Sequence, residues 1–295
     1  MVTAIPENKT RNEAWIDSAL YPFQSNYVQL EAGKMHYVDE GKGEIILFVH
    51  GTPTWSFLYR NQIKSLSKRY RCIAIDHLGF GLSEKPENFD GTPQSHSENL
   101  EEFIHQLNLN NFTLVVHDFG GPIGLSYAIK YPEKIKNIVM MNTWLWETAS
   151  NSEVQKIDKL INSWLGKFLY LNLNFSPKVL LKKGFFDKNL LTKNIHQHYT
   201  KVFPNKKSRL GLLKIAQSLL GSSDWYQKQW EQLPVLKNKS FLILWGMKDE
   251  FITPKYLEKW KTQLNDYQAI ELKSGHFVQE EASEKITQEI EHFIN

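Results

Sequence analysis

The sequence predicts an α/β fold in which a mostly parallel sheet flanked by helices is interrupted by a helical insertion. Three observations support this prediction. Short apolar runs alternate with helical patterns between about residues 27 and 142, strand-like runs are absent between about 144 and 233, and the alternation then resumes. Because alternating strands and helices are typical of doubly wound sheets, we interpret the interruption as a cap inserted into a catalytic domain.

The first predicted strands differ from those that follow. The runs "YVQLEA" and "KMHYVDEG" are expected to form an antiparallel pair. The runs "EIILFVH", "RCIAID", "FTLVVHD" and "IVMMN" are almost wholly apolar, which is typical of strands buried on both faces of a parallel sheet. Helical patterns separate them at about residues 55–66, 95–107 and 121–130.

The second half contains the insertion and the end of the sheet. Lys and Arg outnumber Asp and Glu between residues 151 and 210, and we interpret them as the solvent-facing side of the inserted helices. The runs "SFLILWG" and "QAIELK" predict two more strands, which brings the sheet to eight. Residues 255–264 and "SEKITQEIEHFI" predict helices. The predicted division is a core at 1–143, a cap at 144–233 and the rest of the core at 234–295.

Composition narrows the class of protein. The net charge of +3 over 295 residues neither favours nor excludes binding to nucleic acid. No basic stripe with stacking aromatics is present, so we expect no nucleic-acid partner. The single cysteine, Cys72, lies in an apolar run and is interpreted as a core residue. The first residues contain no apolar leader, and no run reaches the ~18 apolar residues of a membrane span. We therefore expect a cytoplasmic protein without membrane contact, either a monomer or a weak homo-oligomer.

Two acids and a histidine follow three of the predicted strands. Asp118 ends "LVVHD", Asp249 follows "LILWG" and His276 follows "IELKSG". Functional groups cluster beyond the carboxyl ends of parallel strands, and a buried charge is costly unless it is paired or used. The order acid, acid, histidine matches a catalytic triad whose nucleophile stands at a sharp strand-to-helix turn. We predict Asp118 as nucleophile, His276 as base and Asp249 as the acid that orients the histidine.

The type of nucleophile predicts the type of substrate. A carboxylate that attacks a saturated carbon forms an alkyl ester, which water activated by His276 can open, whereas a serine would form a stable ether. The predicted substrate is therefore an sp³ carbon with a leaving group, such as an alkyl halide or an epoxide. The backbone N–H groups of Thr52 and Phe119 are the predicted oxyanion hole. Neither metal-ligand spacing nor a nucleotide loop is evident, so we expect neither a metal nor a cofactor.

Five segments resemble haloalkane dehalogenases of the α/β-hydrolase superfamily: "HGTPTWSFLYR", "IAIDHLGFGLSEKP", "VVHDFGGPIGL", "WGMKDEFITP" and "GHFVQEE". The resemblance covers nearly the whole chain. It implies the α/β-hydrolase fold and hydrolysis of the carbon–halogen bond of an apolar small molecule. In one subgroup of this family the triad acid follows the sixth strand. Asn142 stands there in this chain, so the resemblance also assigns the acid to Asp249.

The resemblance is incomplete at the residues with which the family binds the leaving halide. Family members use two N–H donors, one of them a Trp directly after the nucleophile, where this chain has Phe119. The second donor is an Asn in the loop that contains Thr52 here, or a Trp from the cap, where Trp164 lies at about the right distance. The implied halide pocket therefore consists of Thr52, Phe119 and Trp164. Trp144 and Trp146, at the cap entrance, are expected to pack at the hinge.

Other functions share parts of this pattern. Epoxide hydrolysis uses the same nucleophile together with cap tyrosines that donate to the opening oxygen, and Tyr170, Tyr199 and Tyr226 are candidates for that role. Another alternative is a strained ester such as a β-lactone. A receptor or scaffold built on the same fold would be expected to lose a member of the triad, and this chain retains all three.

Overall fold

The sheet contains eight strands, as the alternating apolar runs predict. The computed structural model describes residues 14–295, and its strand order is β1-β2-β4-β3-β5-β6-β7-β8. β2 is antiparallel to β1 and β4, and all other neighbours are parallel. The strands are β1 (Asn26–Leu30), β2 (Gly33–Glu40), β3 (Ile45–Val49), β4 (Arg71–Ile75), β5 (Phe112–His117), β6 (Ile135–Met141), β7 (Ser240–Gly246) and β8 (Tyr267–Leu272).

Helices connect the parallel strands. They are α1 (Arg60–Leu66), α2 (Pro93–Gln106), α3 (Gly120–Lys130), α4 (Ser152–Asn162), α5 (Trp164–Leu173), α6 (Leu181–Gly184), α7 (Lys193–Lys201), α8 (Leu210–Gly221), α9 (Ser223–Gln232), α10 (Pro254–Lys261), α11 (Val278–Glu281) and α12 (Ser283–Ile294). Short 3-10 turns lie at Ser56–Tyr59, Pro132–Lys134, Lys207–Arg209 and Leu233–Leu236, and a π-helical turn lies at Ser176–Leu180.

The helical insertion is the segment between β6 and β7, and it contains α4 to α9. Within this segment the structure has helices and turns but no strand, as the loss of strand-like runs predicts. The division into core and cap at residues 143 and 233 stays a prediction. The expectation that no leader is present falls mainly on residues 1–13, outside the described residues. Between residues 14 and 295, no helix is long and apolar enough to cross a membrane.

The strands at the centre of the sheet are buried from solvent. Every residue of β5 is buried, because β3 and β6 pair with its two edges and apolar side chains cover it. In contrast, β8 stands at the edge of the sheet and is mostly exposed or half-buried. Cys72 in β4 is fully buried, in agreement with its interpretation as a core residue. The predicted nucleophile thus follows a strand that is buried along its whole length.

A buried ion pair ties the insertion to the core. The Arg60 guanidinium in α1 donates to both carboxylate oxygens of Glu280 in α11, at 2.5 and 2.7 Å, and both side chains are 3% exposed. The Tyr199 hydroxyl of α7 donates to the same carboxylate at 2.5 Å. Arg60 also lies over the Phe57 ring at 4.0 Å. Because all three polar groups are removed from water, each depends on the others for compensation.

Replacing Glu280 by Gln should lower the free energy of unfolding by about 3–5 kcal/mol, because it leaves the Arg60 charge buried without an anion. Urea denaturation followed by circular dichroism would measure the loss. Glu291→Gln is the matched control, since its partner Arg69 is 61% exposed, and such a surface pair is worth less than about 1 kcal/mol. Equal losses in the two variants would contradict this assignment.

Candidate active site

Asp118 stands at the turn that joins β5 to α3, with its backbone in the left-handed region at a φ of 53°. Few residues other than Gly adopt this conformation, and Asp and Asn are among the more tolerant. Two hydrogen bonds fix the turn: the Asp118 N–H donates to the Asn142 carbonyl at 3.1 Å, and the Thr143 hydroxyl donates to the Asp118 carbonyl at 2.6 Å. The carboxylate is therefore presented beyond the sheet by a backbone anchored to β6.

The loop after β3 lies directly against this carboxylate. A Cβ atom at Gly51 would overlap the Asp118 side chain and come within 2.7 Å of the Phe119 backbone nitrogen, so this close approach requires glycine. The Thr52 N–H donates to Asp118 Oδ1 at 2.8 Å. The Thr52 and Phe119 backbone nitrogens thus lie near the Asp118 side chain, as the predicted oxyanion hole requires.

The other two members of the predicted triad converge on the same point. His276 Nε2 lies 3.5 Å from Asp118 Oδ2, and His276 Nδ1 lies 2.8 Å from Asp249 Oδ2. Asp118, His276 and Asp249 are 7%, 2% and 4% exposed, respectively. The structure therefore brings the three residues together in a nearly dry site, in the order nucleophile, histidine, acid.

The two carboxylates control the protonation of the histidine. Burial disfavours the imidazolium, but the charge of Asp249, together with hydrogen bonding to Asp118, outweighs burial and raises the pKa of His276 to about 10. Burial would raise the pKa of Asp249, but the His276 charge and hydrogen bonds from the backbone lower it. At neutral pH the resting site thus contains an imidazolium between two carboxylates.

Asn142 is a positioning residue whose function the sequence did not reveal. Its amide nitrogen donates to Asp249 Oδ2 at 2.8 Å, and its amide oxygen accepts from the Gly246 N–H at 2.8 Å. The backbone N–H groups of Phe251 and Ile252 donate to the other Asp249 oxygen, at 2.7 and 3.1 Å. Asn142 therefore ties the end of β6 to the loop that presents the triad acid.

The histidine loop is held from two directions. The His117 Nε2–H donates to the His276 carbonyl at 2.9 Å, and burial lowers the pKa of His117 to about 3. From the insertion, the Gly184 carbonyl accepts a hydrogen bond from the His276 N–H at 2.7 Å. A Cβ at Gly184 would meet the Phe277 ring, so the two segments pack without space between them.

The structure corrects the expectation for Trp164. This side chain begins α5, is 78% exposed and stacks on the Phe168 ring, with the ring centroids 5.6 Å apart. It therefore does not line the buried site. The Phe119 side chain is 5% exposed, and its ring meets the edge of Trp144 with centroids 4.9 Å apart. The side of the site next to the nucleophile is thus aromatic, and its indole comes from the end of β6 instead of from α5.

Two of the three cap tyrosines have definite partners away from the nucleophile. The Tyr199 hydroxyl donates to Glu280, as described above, and the Tyr226 hydroxyl donates to the Ser218 carbonyl at 2.9 Å. Burial raises the pKa of Tyr170 to about 12, although a hydrogen bond with Ser176 acts to lower it. The structure therefore does not present a pair of tyrosine hydroxyls to Asp118 of the kind that epoxide opening requires.

Comparisons with known proteins identify the family of this chain. A family model described as the α/β hydrolase fold matches residues 44–283. The chain is 34% identical to haloalkane dehalogenase 2 of Mycobacterium tuberculosis, over 92% of this chain and 94% of that protein. The chain belongs to the haloalkane dehalogenase family of α/β hydrolases. The family resemblance and the fold predicted from the sequence are thereby confirmed.

Two further matches to this dehalogenase-family chain are informative, one to a protein named for a different reaction and one to a dehalogenase structure. The chain is 33% identical to a cis-3-alkyl-4-alkyloxetan-2-one decarboxylase of Shewanella oneidensis, over 93% of this chain and 89% of the relative. Its structure matches that of a variant of the haloalkane dehalogenase DatA from Agrobacterium tumefaciens with a TM-score of 0.84. The identity in that match is 25%, and it covers 94% of this chain and 99% of the other.

In this dehalogenase-family site, Asp118→Asn should lower the pKa of His276 below its value of about 10, because it removes one of the anions that favour the imidazolium. Asn tolerates the left-handed backbone, so the fold should be retained. An NMR titration of the imidazole nitrogens would measure the shift. Asp266→Asn is the control, since Asp266 is exposed at the opposite end of β8. An unchanged His276 pKa in Asp118→Asn would contradict the electrostatic coupling.

Proposed function

We propose that this protein hydrolyses the carbon–halogen bond of small apolar haloalkanes through a covalent ester on Asp118. The observation that carries the proposal is the buried Asp118 carboxylate at the strand-to-helix turn, with His276 Nε2 3.5 Å from its Oδ2. The relatives named dehalogenases support the choice of a halide as leaving group. We expect the protein to act in the cytoplasm, as a monomer or weak homo-oligomer.

In the first step an Asp118 oxygen attacks the carbon that bears the halogen. The new C–O bond forms as the carbon–halogen bond breaks, and the halide departs with the bonding electron pair. The negative charge thus moves from the carboxylate to the halide, and Asp118 becomes a neutral ester. The Thr52 N–H, 2.8 Å from Asp118 Oδ1, holds the carboxylate in position for attack.

In the second step water opens the ester. Neutral His276 removes a proton from the water, the hydroxide adds to the ester carbonyl, and the Thr52 and Phe119 N–H groups stabilise the resulting oxyanion. On collapse the C–O bond to the alkyl group's oxygen breaks, that oxygen takes the proton of the added hydroxyl, and the alcohol leaves as the Asp118 carboxylate is regenerated. Asp249 stabilises the imidazolium that remains. The net reaction converts haloalkane and water into alcohol, halide and a proton.

The charge lost in the first step prepares the base for the second. In the resting protein, the carboxylates keep His276 protonated with a pKa of about 10. Alkylation removes the Asp118 charge, which lowers the histidine pKa and favours release of its proton. Hydrolysis of the ester should therefore become faster as pH rises through the lowered pKa, because only neutral imidazole can accept a proton from water.

A β-lactone is the second candidate substrate. Phe119 stands where the dehalogenase family has a halide-binding Trp, and a relative at 33% identity is named as an oxetan-2-one decarboxylase. In such a ring the group displaced from the saturated carbon is a carboxylate, which is also an anion. Epoxide hydrolysis is less well supported, because Tyr199 and Tyr226 are engaged elsewhere.

The first prediction of this mechanism is that the protein releases bromide from bromoalkanes and that Asp118→Asn abolishes the release, because an amide is a poor nucleophile. A colorimetric or ion-selective assay of halide would measure it, with a cis-dialkyl β-lactone as a parallel substrate. Turnover of the lactone alone would favour the second candidate. Undiminished bromide release by Asp118→Asn would refute a covalent role for Asp118.

The second prediction is that His276→Gln accumulates the ester, since alkylation does not need the base but hydrolysis does. Intact-protein mass spectrometry after incubation with 1-bromobutane should show an added butyl group, and peptide mapping should place it on Asp118. His105→Gln is a control on the surface helix α2, and it should turn over without accumulating any adduct.

A further inference from the structure

Of the buried polar groups that have no hydrogen-bond partner among residues 14–295, two are donors on the segments next to Asp118. They are the indole nitrogen of Trp144 and the hydroxyl of Thr52. Trp144 is 3% exposed. A buried donor without an acceptor costs about 1–3 kcal/mol, and buried polar groups in native proteins are nearly always paired. An unpaired donor in an active site is therefore a candidate for pairing with the substrate.

The surroundings of Trp144 place it at the nucleophile. Thr143, the preceding residue, donates to the Asp118 carbonyl. The indole itself packs between the Phe119 ring, 4.9 Å away between centroids, and the Tyr226 ring, 5.7 Å away. Tyr226 is in turn close enough for the Asp118 charge to act on it. The Trp144 indole therefore packs against the residue that follows Asp118 and against a tyrosine that the Asp118 charge reaches.

Other buried indoles of the fold help to interpret this one. The indole N–H groups of Trp55 and Trp260 have protein acceptors, the carbonyls of His198 and Thr143, respectively, at 3.1 and 2.8 Å. Trp245 in β7 also has an unpaired N–H, so the missing acceptor alone does not assign a role. What distinguishes Trp144 is the combination of an unpaired N–H with direct contact to Phe119.

The chemistry of the first step requires a donor on this side of the site. Negative charge develops on the leaving group as the bond to carbon breaks, and a fixed N–H or O–H donor stabilises that charge. The Phe119 side chain has no donor, and Trp164 lies at the surface. The Thr52 backbone N–H donates a hydrogen bond to Asp118, and the hydroxyl of the same residue has no partner among residues 14–295.

We propose that the Trp144 indole N–H, assisted by the Thr52 hydroxyl, forms the leaving-group site of this protein. This inference rests on the proposed function and assigns Trp144 a binding role in place of the hinge packing expected from the sequence. The leaving anion, a halide or the carboxylate of an opened lactone, accepts the hydrogen bonds as it departs with the electron pair. No proton is transferred, and the donors stay protonated throughout.

The test measures alkylation separately from ester hydrolysis. In the His276→Gln background, mass spectrometry follows butyl-ester formation from 1-chlorobutane and 1-iodobutane. Adding Trp144→Phe, which keeps an aromatic ring against Phe119, should slow alkylation by chlorobutane about 10²–10³-fold, the usual effect of losing one such donor. The effect should be smaller with iodobutane, because iodide needs less help to depart. With His276 intact, single-turnover hydrolysis of the ester formed from iodobutane should proceed at the parent rate in Trp144→Phe.

Three variants sharpen this test. Trp245→Phe removes an equally buried, unpaired indole N–H from β7 and should leave the ratio of chloride to iodide rates unchanged. Thr52→Val keeps the backbone N–H and the side-chain shape, and it should affect chlorobutane more than iodobutane. Phe119→Trp, combined with Trp144→Phe, supplies a donor at the position used by the family and should restore part of the chlorobutane rate.

The possible outcomes separate the inference from the function on which it rests. If Trp144→Phe slows both halides equally, or slows ester hydrolysis as much as alkylation, Trp144 is only a packing residue and the inference is wrong while the proposed function stands. If His276→Gln with Trp144 intact is never alkylated by any haloalkane, the proposed function fails and the halide site fails with it. A selective loss with chlorobutane supports both.

Discussion

The contact between His276 and its two carboxylates is the interaction on which the rest of the site depends. Three charged side chains from the ends of β5, β7 and β8 lie in a nearly dry space, where each would be unstable alone. Their mutual attraction makes that burial possible. The surrounding hydrogen bonds from Asn142, Phe251 and Ile252 fix Asp249, and through it the orientation of the imidazole.

Asp118 divides the site into two chemically different halves. Its Oδ2 faces His276, while its Oδ1 accepts the Thr52 N–H. Beyond Phe119 the wall becomes aromatic, with Trp144 and Tyr226 packed in series. The proposed leaving-group side of the site is thus aromatic, and the proposed activation of water takes place on the side of His276. In the proposed mechanism, this separation allows the Asp118 carboxylate to take part in two successive steps.

Sequence patterns were sufficient to predict the sheet and the convergence of the three predicted triad residues, but not the aromatic side chains around Asp118. Short all-apolar runs are typical of buried strands, and parallel strands end at one edge of the sheet, so Asp118, Asp249 and His276 could be placed together. The bridge from Asn142 to Asp249 depends on how the ends of β6 and β7 face each other, which no local pattern encodes. Trp164 was misplaced because sequence distance does not tell which face of α5 looks outward.

The hydrogen bond from the His276 N–H to the Gly184 carbonyl joins the predicted general base to the inserted helices. A large substrate that pushes those helices outward must also stretch or break this hydrogen bond, and so displace the imidazole from Asp118. Discrimination between substrates by size would then affect kcat as much as KM, because an oversized substrate could bind while His276 is misaligned. A change of substrate size in this protein would accordingly require compensating substitutions near both His276 and Gly184.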